Sequence, residues 1–343
     1  MFPKLQIQFF SVGCGDAIAV RFLGNDNQYH NLLIDAGYSS VYKSTVRCEL
    51  LEIQKRGEYV DVWCVTHTDA DHINGVVAFL NDPAFRHGDL IKQFWFNWSD
   101  YPMTGISPKM SIKKGITLRD FIQSKGLLNK YDLSNQVAAM NMYGATITIL
   151  SPDLPKLEAS KIAWDKEETR HKISTIKDHD KLASDLINEK FEEDKTPFNG
   201  GSIAFLFEIH ETKLLFLGDS HPLVIEASLR DLGFSEHHKL KVDWVKLSHH
   251  GSKGNTSPNF LNLIECANFV ISADGIRHNL PDKISLARVL ESRRGAKTHF
   301  WFTHKTPQLE QLFRVDGSDI QTVYSFDCHY PEANANALIV KTP

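Results

Sequence analysis

Cysteine is scarce in this chain, and its few cysteines are widely spaced. Five are present, an odd number, and no two of them form a Cys-x-x-Cys pair. This pattern argues against a disulfide framework and against a cysteine-based zinc knuckle, and it favours a reducing compartment. We therefore expect chemistry that does not depend on thiols.

Long apolar runs and an excess of positive charge are also missing. No apolar run approaches the length that spans a bilayer, and residues 1–10 alternate polar with apolar, unlike the continuous apolar core of a signal peptide. We therefore expect a cytoplasmic protein that does not contact membranes. The formal net charge of -4 excludes a chain that is basic all over, so contact with nucleic acid would require a local patch.

What the chain does contain is a repeated pattern of short apolar strands and amphipathic helices. Strands that alternate with helices, with polar residues where the strands end, indicate an α/β protein in which helices cover sheets. One segment, Ile91–Trp98, is rich in aromatic residues. Such a segment is typical of a buried strand, and we favour that over a platform for stacking bases.

The charged stretch between residues 151 and 198 interrupts this pattern. It contains runs of Asp, Glu and Lys such as Glu192–Lys195, which are typical of solvated helices and carry no chemistry. We predict a single domain over 1–343 with a charged, partly helical insertion at about 99–198. The insertion is a candidate contact surface for a protein partner.

The segment Thr66–His72 indicates a metal site. It follows the apolar run Val60–Val65, so two histidines and two aspartates leave one strand together. Imidazole nitrogens and carboxylate oxygens are ligands that zinc, manganese and iron accept. The alternative is a capped helix start, with Asp71 as the cap of the helix Ile73–Leu80, but a cap uses only one of the four residues.

Other polar residues also sit where apolar strands end. Asp219, the pair His249 and His250, and His278 each follow such a strand. Singly, each is explained as a turn aspartate, a buried histidine or a loop residue, but together they predict a shared cleft. Asp16 and Asp35 lie beside glycines, where they either orient metal ligands or serve the turn alone.

With these motifs, the chain resembles the metallo-β-lactamase fold. Segment His67–His72 is similar to the HxHxDH signature of that fold, with Asp69 in place of the second histidine. Further motifs resemble those of the hydrolase domain attached to bacterial DNA-uptake (competence) channels. They are Val12–Ala17, Leu33–Gly37, Leu217–Asp219 and Leu247–Ser252.

The resemblance implies a four-layer αββα sandwich with two metal ions at the edges of its sheets. It places His67 and Asp69 on the first metal, Asp71 and His72 on the second, and Asp219 between them. Asp71 and His249 are the predicted catalytic residues, with His249 donating to the substrate or orienting the site.

The chain departs from the family pattern at two ligand positions. Where the first site would have a third histidine, the chain has Ser202, and we expect His250 to take that role. Where the second site would have its last histidine, the chain has Leu280, and His278 is the nearby replacement. Without His278 the second site would be short of a ligand.

These features predict a hydrolase that uses two divalent ions to cleave phosphodiesters, with nucleic acid as the expected substrate. Asp69 makes the first site harder, so manganese or iron should compete better with zinc. The alternatives are a hydrolase of small phosphodiesters, such as a phosphorylcholine ester or a signalling nucleotide, and a degenerate interaction protein of the same fold. The candidate phosphate contacts are Lys246, Lys253, Arg277, Lys283, Arg293 and Arg294, for which a solvated face is an equal explanation.

Overall fold

The computed structural model describes residues 3–85, 90–99, 110–127, 129, 131–165 and 177–342. In chain order the strands are β1 Leu5–Phe10, β2 Ala17–Leu23, β3 Tyr29–Asp35, β4 Val62–Cys64, β5 Phe94–Trp95, β6 Met140–Met142, β7 Ala145–Ser151, β8 Ala204–Ile209, β9 Thr212–Phe216, β10 Leu240–Lys241, β11 Trp244–Lys246, β12 Ile264–Glu265, β13 Asn268–Ile271, β14 Thr298–Phe302, β15 Phe326–His329 and β16 Ala337–Thr342. The helices are α1 Val46–Lys55, α2 Ala70–Leu80, α3 Met110–Lys125, α4 Leu154–Asp165, α5 Ala183–Leu186, α6 Pro197–Gly200, α7 Pro222–Asp231, α8 Pro258–Leu263, α9 Lys283–Ser292, α10 Pro307–Glu310 and α11 Asp319–Val323. Across these ranges, the helices are all too short or too polar to cross a bilayer.

Two large sheets carry the fold. The first has six strands in the order β16-β1-β2-β3-β4-β5, and the second has eight in the order β15-β14-β13-β11-β9-β8-β7-β6. In the first sheet β16 to β3 are antiparallel and β3 to β5 are parallel. In the second, β15 to β9 are parallel and β9 to β6 are antiparallel. Each sheet therefore joins a parallel part to an antiparallel part, in keeping with two related halves.

The sheets pack face to face, and helices cover both outer faces. The core between the sheets includes Phe22 of β2 and Phe207 of β8, whose rings meet edge to face. Helices α1, α2 and α3 bury their apolar residues on the first sheet, and α7, α8 and α9 bury theirs on the second. The predicted α/β sandwich, with four layers in the order αββα, is confirmed.

Most of the predicted elements are present near their predicted positions. The sequence pattern of residues 110–125 is helical and that of residues 298–302 is typical of a strand, and α3 and β14 have those bounds. The aromatic segment forms only the short strand β5, and its residues Phe94, Trp95 and Phe96 are buried. The interpretation of this segment as core is therefore confirmed.

The range 99–198 contains elements of two kinds. Helices α3 and α4 lie in it, but so do β6 and β7, and β7 pairs with β8 inside the larger sheet. Residues 100–109 and 166–176, with His171 and part of the charge run, lie outside the described residues. The boundaries of the insertion stay a prediction.

The direction of the parallel strands determines where polar residues collect. Strands β3, β4, β9, β11 and β13 run parallel within their sheets. The residues that end or follow them include Asp35, Thr66, Asp219, His249 and Ser272. In open sheets of this kind, ligands bind beyond the carboxyl ends of the strands.

Candidate metal centre

Helix α2 begins before the predicted start at Ile73, and this earlier start positions two predicted ligands. It starts at Ala70, so Asp71 and His72 lie in its first turn. Asp69 occupies the position before the helix with extended backbone, and its side chain makes no capping hydrogen bond. The predicted alternative, in which Asp71 serves as a helix cap, is therefore not what the chain does.

Close packing at Gly75 fixes this helix against the first sheet. A Cβ atom on Gly75 would lie 2.1 Å from the carbonyl oxygen of Ala36. The Gly75 N–H donates to the carbonyl of Gly37 at 2.8 Å. Only glycine permits this approach, which brings α2 and its histidine to the end of β3.

Asp35 orients the His72 ring. Its Oδ2 lies 2.7 Å from His72 Nδ1 and accepts a 2.7 Å hydrogen bond from Thr66 Oγ1, while its Oδ1 accepts from the Thr66 N–H at 2.8 Å. With Nδ1 held this way, the other ring nitrogen of His72 points at Asp219 Oδ2, 3.4 Å away. A carboxylate that holds one nitrogen of a ligating histidine is a common support for metal binding.

The second pair of histidines lies on a strained turn. His249 and His250 have φ values of 47° and 55°, and both lie in the turn Ser248–Gly251. Two successive non-glycine residues in the left-handed region are energetically costly and persist only where neighbours hold them. Such strain is concentrated at functional sites.

Hydrogen bonds on both sides hold these two rings. The Nδ1 of His249 lies 3.0 Å from Asn255 Oδ1 and 3.4 Å from Asp194 Oδ2. The Nδ1 of His250 lies 3.1 Å from Ser272 Oγ and 3.4 Å from Asp16 Oδ1. In each ring the Nε2 atom is therefore directed toward the cluster.

Asp16 is fixed in turn by a buried cation. Lys246 Nζ donates to Asp16 Oδ2, and Ser272 Oγ donates to Asp16 Oδ1 at 2.5 Å. Burial alone would raise the pKa of the Asp16 carboxyl, but Lys246 and His250 outweigh it and hold that pKa well below its usual value. Asp16 and Asp35 thus each contact a ring nitrogen of a predicted ligand, one in each histidine pair.

Asp219 stands between two groups of ligating atoms. On one side, its Oδ2 lies 3.8 Å from the Nε2 of both His67 and His249, and Asp69 Oδ2 lies 3.8 Å from His67 Nε2. The Nδ1 of His67 faces Thr66 Oγ1 at 3.1 Å.

On the other side of Asp219 lie His72, His250 and Asp71. The Nε2 of His250 is 3.5 Å from Asp71 Oδ2 and 3.7 Å from Asp219 Oδ1. Asp71, His72 and His250 form one set of atoms within 4.8 Å of one another, and His67, His72 and Asp219 form another. Ligands on one zinc ion lie ~3.3 Å apart when the bonds are about 2.0–2.1 Å, so the set of Asp71, His72 and His250 has suitable dimensions, while the second set joins His67 to His72 across Asp219.

Several of these atoms are buried without a hydrogen-bond partner. They are Nε2 of His67, His72 and His250 and Oδ1 of Asp219. An unpaired buried polar atom costs about 1–3 kcal/mol, so four of them converging on one point need an explanation. A divalent cation accepts both imidazole and carboxylate ligands, and the residues present fit it.

The charges of the cluster are strongly coupled. Burial lowers the pKa of His249, but Asp219 and Asp194 outweigh it and raise that pKa to about 10. Burial also opposes charge on His72 and His250, yet the neighbouring carboxylates raise both pKa values. The neighbouring carboxylates therefore favour the protonated form of these imidazoles.

In the described part of the chain, the most exposed members of the cluster are Asp69, Asp71 and His249. The side chain of Asp69 is 34% exposed, and Asp71 and His249 are 18% and 16% exposed. His67 and Asp219, at 3% each, form the floor. A substrate would therefore approach past the two aspartates of α2 and past His249.

His278 lies on the exposed turn Arg277–Asn279, and among the described residues no group of three or more ligating atoms within 4.8 Å of one another includes it. Its role as a ligand stays a prediction. Leu280, at the position where the family has a histidine, is buried in the apolar core.

Two of the six predicted phosphate contacts are wrong because their side chains are buried in ion pairs. Lys246 pairs with Asp16, and Lys283 Nζ lies 2.5 Å from Asp316 Oδ2. Arg293 and Arg294 follow α9 at the opposite edge of the sheet, where Arg293 donates to Thr298 at the start of β14.

Several residues that hold the site were not among the predicted site residues. Asp194 lies in a charge run that was interpreted as solvated, yet it contacts His249. Asn199 Nδ2 donates to Asp194 Oδ2 at 2.6 Å, and Ser202 Oγ accepts from the Asp219 N–H at 3.1 Å. Only the position of Asp194 and Asn199 shortly before Ser202, the expected ligand position, could have pointed to them.

No family model matches the chain, and no curated protein matches it. Among solved structures, zinc-bound PqqB from Methylobacterium extorquens is 9% identical, with 98% of this chain and 99% of that one covered and a TM-score of 0.42. A long form RNase Z from yeast is 13% identical, with 99% of this chain covered and a TM-score of 0.39; the chain spans 41% of that protein. At these scores the description of the fold rests on the two sheets and their helices alone.

Proposed function

We propose that this chain is a metal-dependent hydrolase of the metallo-β-lactamase fold that cleaves phosphodiester bonds in nucleic acid. The observation that carries the proposal is the buried Asp219, which lies between two groups of ligands whose inward atoms lack hydrogen-bond partners. The motifs that resemble those of the competence-protein hydrolase domain support a place in that branch of the fold. We also propose that the protein is cytoplasmic and binds two zinc or manganese ions.

The geometry supports a division of ligands that differs from the sequence-based one. We assign His67, Asp69 and His249 to the first metal because His67 Nε2 lies 3.8 Å from Asp69 Oδ2 and both His67 and His249 direct Nε2 toward Asp219 Oδ2 at 3.8 Å. Asp71, His72 and His250 are assigned to the second, with Asp219 shared. His250 then takes the role that the sequence suggested for His278, and His249 takes the place left by Ser202.

Two divalent ions bound by these residues would acidify a water molecule and neutralise charge on a phosphate. The chain itself supplies orientation, since Asp194 and Asn255 hold the Nδ1 side of His249 and keep its Nε2 toward Asp219. It also limits water to the side where Asp69 and Asp71 are exposed.

Arg277 is the best-placed phosphate contact of the predicted set. Its guanidinium lies 4.4 Å from the centre of the Tyr38 ring. Burial and the nearby charge of Asp71 raise the pKa of Tyr38 to about 12, so its hydroxyl stays protonated and can donate. An arginine and a hydroxyl beside Asp71 suit a phosphate oxygen.

One observation favours a small phosphodiester as a second candidate substrate. Of the six predicted cationic contacts, Lys246 and Lys283 are buried, and Arg293 and Arg294 lie at the far edge. A protein that binds a duplex normally neutralises many phosphates with cationic side chains. Without these four side chains at the site, binding of a duplex is less strongly expected.

Cleavage assays test the proposal directly. Purified chain is incubated with manganese or zinc and with single-stranded DNA, double-stranded DNA, RNA or bis-p-nitrophenyl phosphate. We expect cleavage by the native chain, loss of at least ~10²-fold for Asp71→Ala, and no loss for Asp231→Ala, an exposed aspartate at the end of α7.

The outcomes separate the candidates. Cleavage of the small ester alone would refute the nucleic-acid substrate and leave the second candidate. Activity retained by Asp71→Ala would contradict the proposed site. Less than one metal ion per chain, with no activity after manganese is added, would support the degenerate interaction protein.

A further inference from the structure

A second group of metal-ligating side chains lies on the outermost strands of the larger sheet. In the β14–β15 pair, His299 stands opposite Asp327 and Trp301 stands opposite His329. Because side chains alternate along a strand, His299, Asp327 and His329 all project from the same face. Trp301 shares that face and packs against the core between the sheets.

The separations within this group suit one metal ion. His299 Nδ1 lies 3.0 Å from His329 Nε2 and 3.6 Å from Asp327 Oδ2. Two ligands on a tetrahedral zinc ion are about 3.3 Å apart, given bonds of ~2.0–2.1 Å, and the observed distances lie on either side of that value. Small changes in side-chain rotation would therefore satisfy an ion.

Neighbouring residues hold the ligands in position. The Trp301 ring stacks on His329 at 3.9 Å between centroids, and its indole N–H donates to Asn268 Oδ1 at 3.0 Å. Lys297 Nζ lies 2.9 Å from Asp327 Oδ1 and leaves Oδ2 toward His299. Supports of this kind reduce the entropy that a ligand loses when a metal binds.

The group is accessible to solvent. The side chain of His299 is 29% exposed and that of Asp327 is 49% exposed. It shares no residue with the candidate metal centre, and β13 and β11 separate β14 from β9, which leads to Asp219. An ion could therefore enter or leave here independently of the centre.

We propose that His299, Asp327 and His329 bind a divalent transition-metal ion, zinc by the nature of the ligands, and so link the edge strand β15 to β14. Two imidazoles and one carboxylate, with the fourth position left to water, suit zinc, whereas magnesium and calcium favour all-oxygen sites. No group assigned to hydrolysis lies beside this site, so the proposed cleavage does not depend on the ion.

Metal stoichiometry tests the inference on the full chain. Native chain, His329→Gln and His299→Gln are stripped with chelator, incubated with excess zinc chloride and desalted, and zinc per chain is measured by elemental analysis. His237→Gln, an exposed histidine elsewhere, is the matched control. We expect each cluster variant to hold one zinc ion fewer than native chain, with the control unchanged.

Three readouts complete the test. Hydrolysis by His329→Gln should equal that of native chain, and zinc should raise the unfolding temperature of native chain more than that of the variant. Magnesium chloride at the same concentration should not displace the ion.

Equal zinc content in native chain and in both cluster variants overturns the inference, whatever the total number of zinc ions per chain. Failure of this inference is therefore distinct from failure of the proposed metal centre. If His329→Gln is poorly folded, Asp327→Asn must show the same loss of one ion.

Discussion

The two histidine pairs of the metal centre are held by different means. His67 lies in the short loop after strand β4 and His72 in the first turn of the regular helix α2, whereas His249 and His250 occupy successive left-handed positions. The first pair is aimed by ordinary helix geometry and by the close packing at Gly75. The second is aimed by side-chain hydrogen bonds that offset backbone strain. A ligand set can thus combine one segment whose geometry is local with another whose geometry depends on residues distant in sequence.

Removing Asp219 should impair metal binding by both histidine pairs at once. Its two oxygens face ligands from both histidine pairs, so Asp219→Ala should lower metal-dependent hydrolysis by about 10³-fold or more and reduce bound metal on both sides. Activity assays and elemental analysis of the same sample measure both effects. Full metal content in this variant would show that Asp219 is not shared.

Substituting the carboxylates that contact His72 and His249 should show how the two histidine pairs differ in their support. Asp35→Asn and Asp194→Asn should each weaken zinc binding by about 10–100-fold, because each loses the carboxylate beside an imidazole nitrogen. Only Asp35→Asn should also lower the unfolding temperature markedly, since Asp35 is fully buried and also accepts two hydrogen bonds from Thr66. Zinc competition with a chromophoric chelator and thermal unfolding measure the two effects. An equal loss of stability in both variants would remove the proposed difference.

Substituting Gly75 tests the local geometry of the first pair. A methyl group there must displace the Ala36 carbonyl, so Gly75→Ala should reduce the free energy of unfolding by about 1–3 kcal/mol. Val77→Ala, at a partly exposed position of the same helix, is the control and should cost less. Chemical unfolding of both variants measures the difference. A neutral Gly75→Ala would mean that α2 is not held in close packing.

The smallest expected effect is a dependence of stability on pH that differs between metal-free and zinc-loaded protein. The folded-state pKa of His249 is raised from 6.5 to about 10, so its contribution to stability is fully present below about pH 6.5 and is lost as pH rises toward 10. A bound ion replaces those protons. Between about pH 7 and 10, the metal-free protein should therefore lose more stability than the zinc-loaded one, as thermal unfolding with EDTA or zinc would measure. Parallel curves would contradict this.

The sequence was informative wherever local pattern determines structure. Alternating apolar residues predicted strands such as β1 and β14, and helical spacing predicted α3. The histidines and aspartates were predicted to share a cleft because each of them follows the end of an apolar strand. His67, His72, Asp219 and His250 do meet there.

What could not be predicted depends on contacts between distant segments. The sequence does not reveal that His249 turns its Nε2 toward Asp219, because this requires Asp194 and Asn255 on the other side of its ring. Lys246 looked like a surface cation but is buried, since Asp16, from the other sheet, neutralises it. A charged residue is assigned to solvent by default, and only tertiary structure shows that it has a buried partner.

The pairing of β1 with β16 bears on how the molecule assembles. Leu5 lies opposite Thr342, so one sheet is bordered by segments from near both ends of the described chain. Such contacts between distant positions raise the contact order, which slows folding. Until β16 arrives, the outer side of β1 presents unpaired backbone groups that can bind a strand of another molecule. During synthesis β16 leaves the ribosome after β1 to β15, so the nascent protein passes through a stage in which β1 is unpaired on this side.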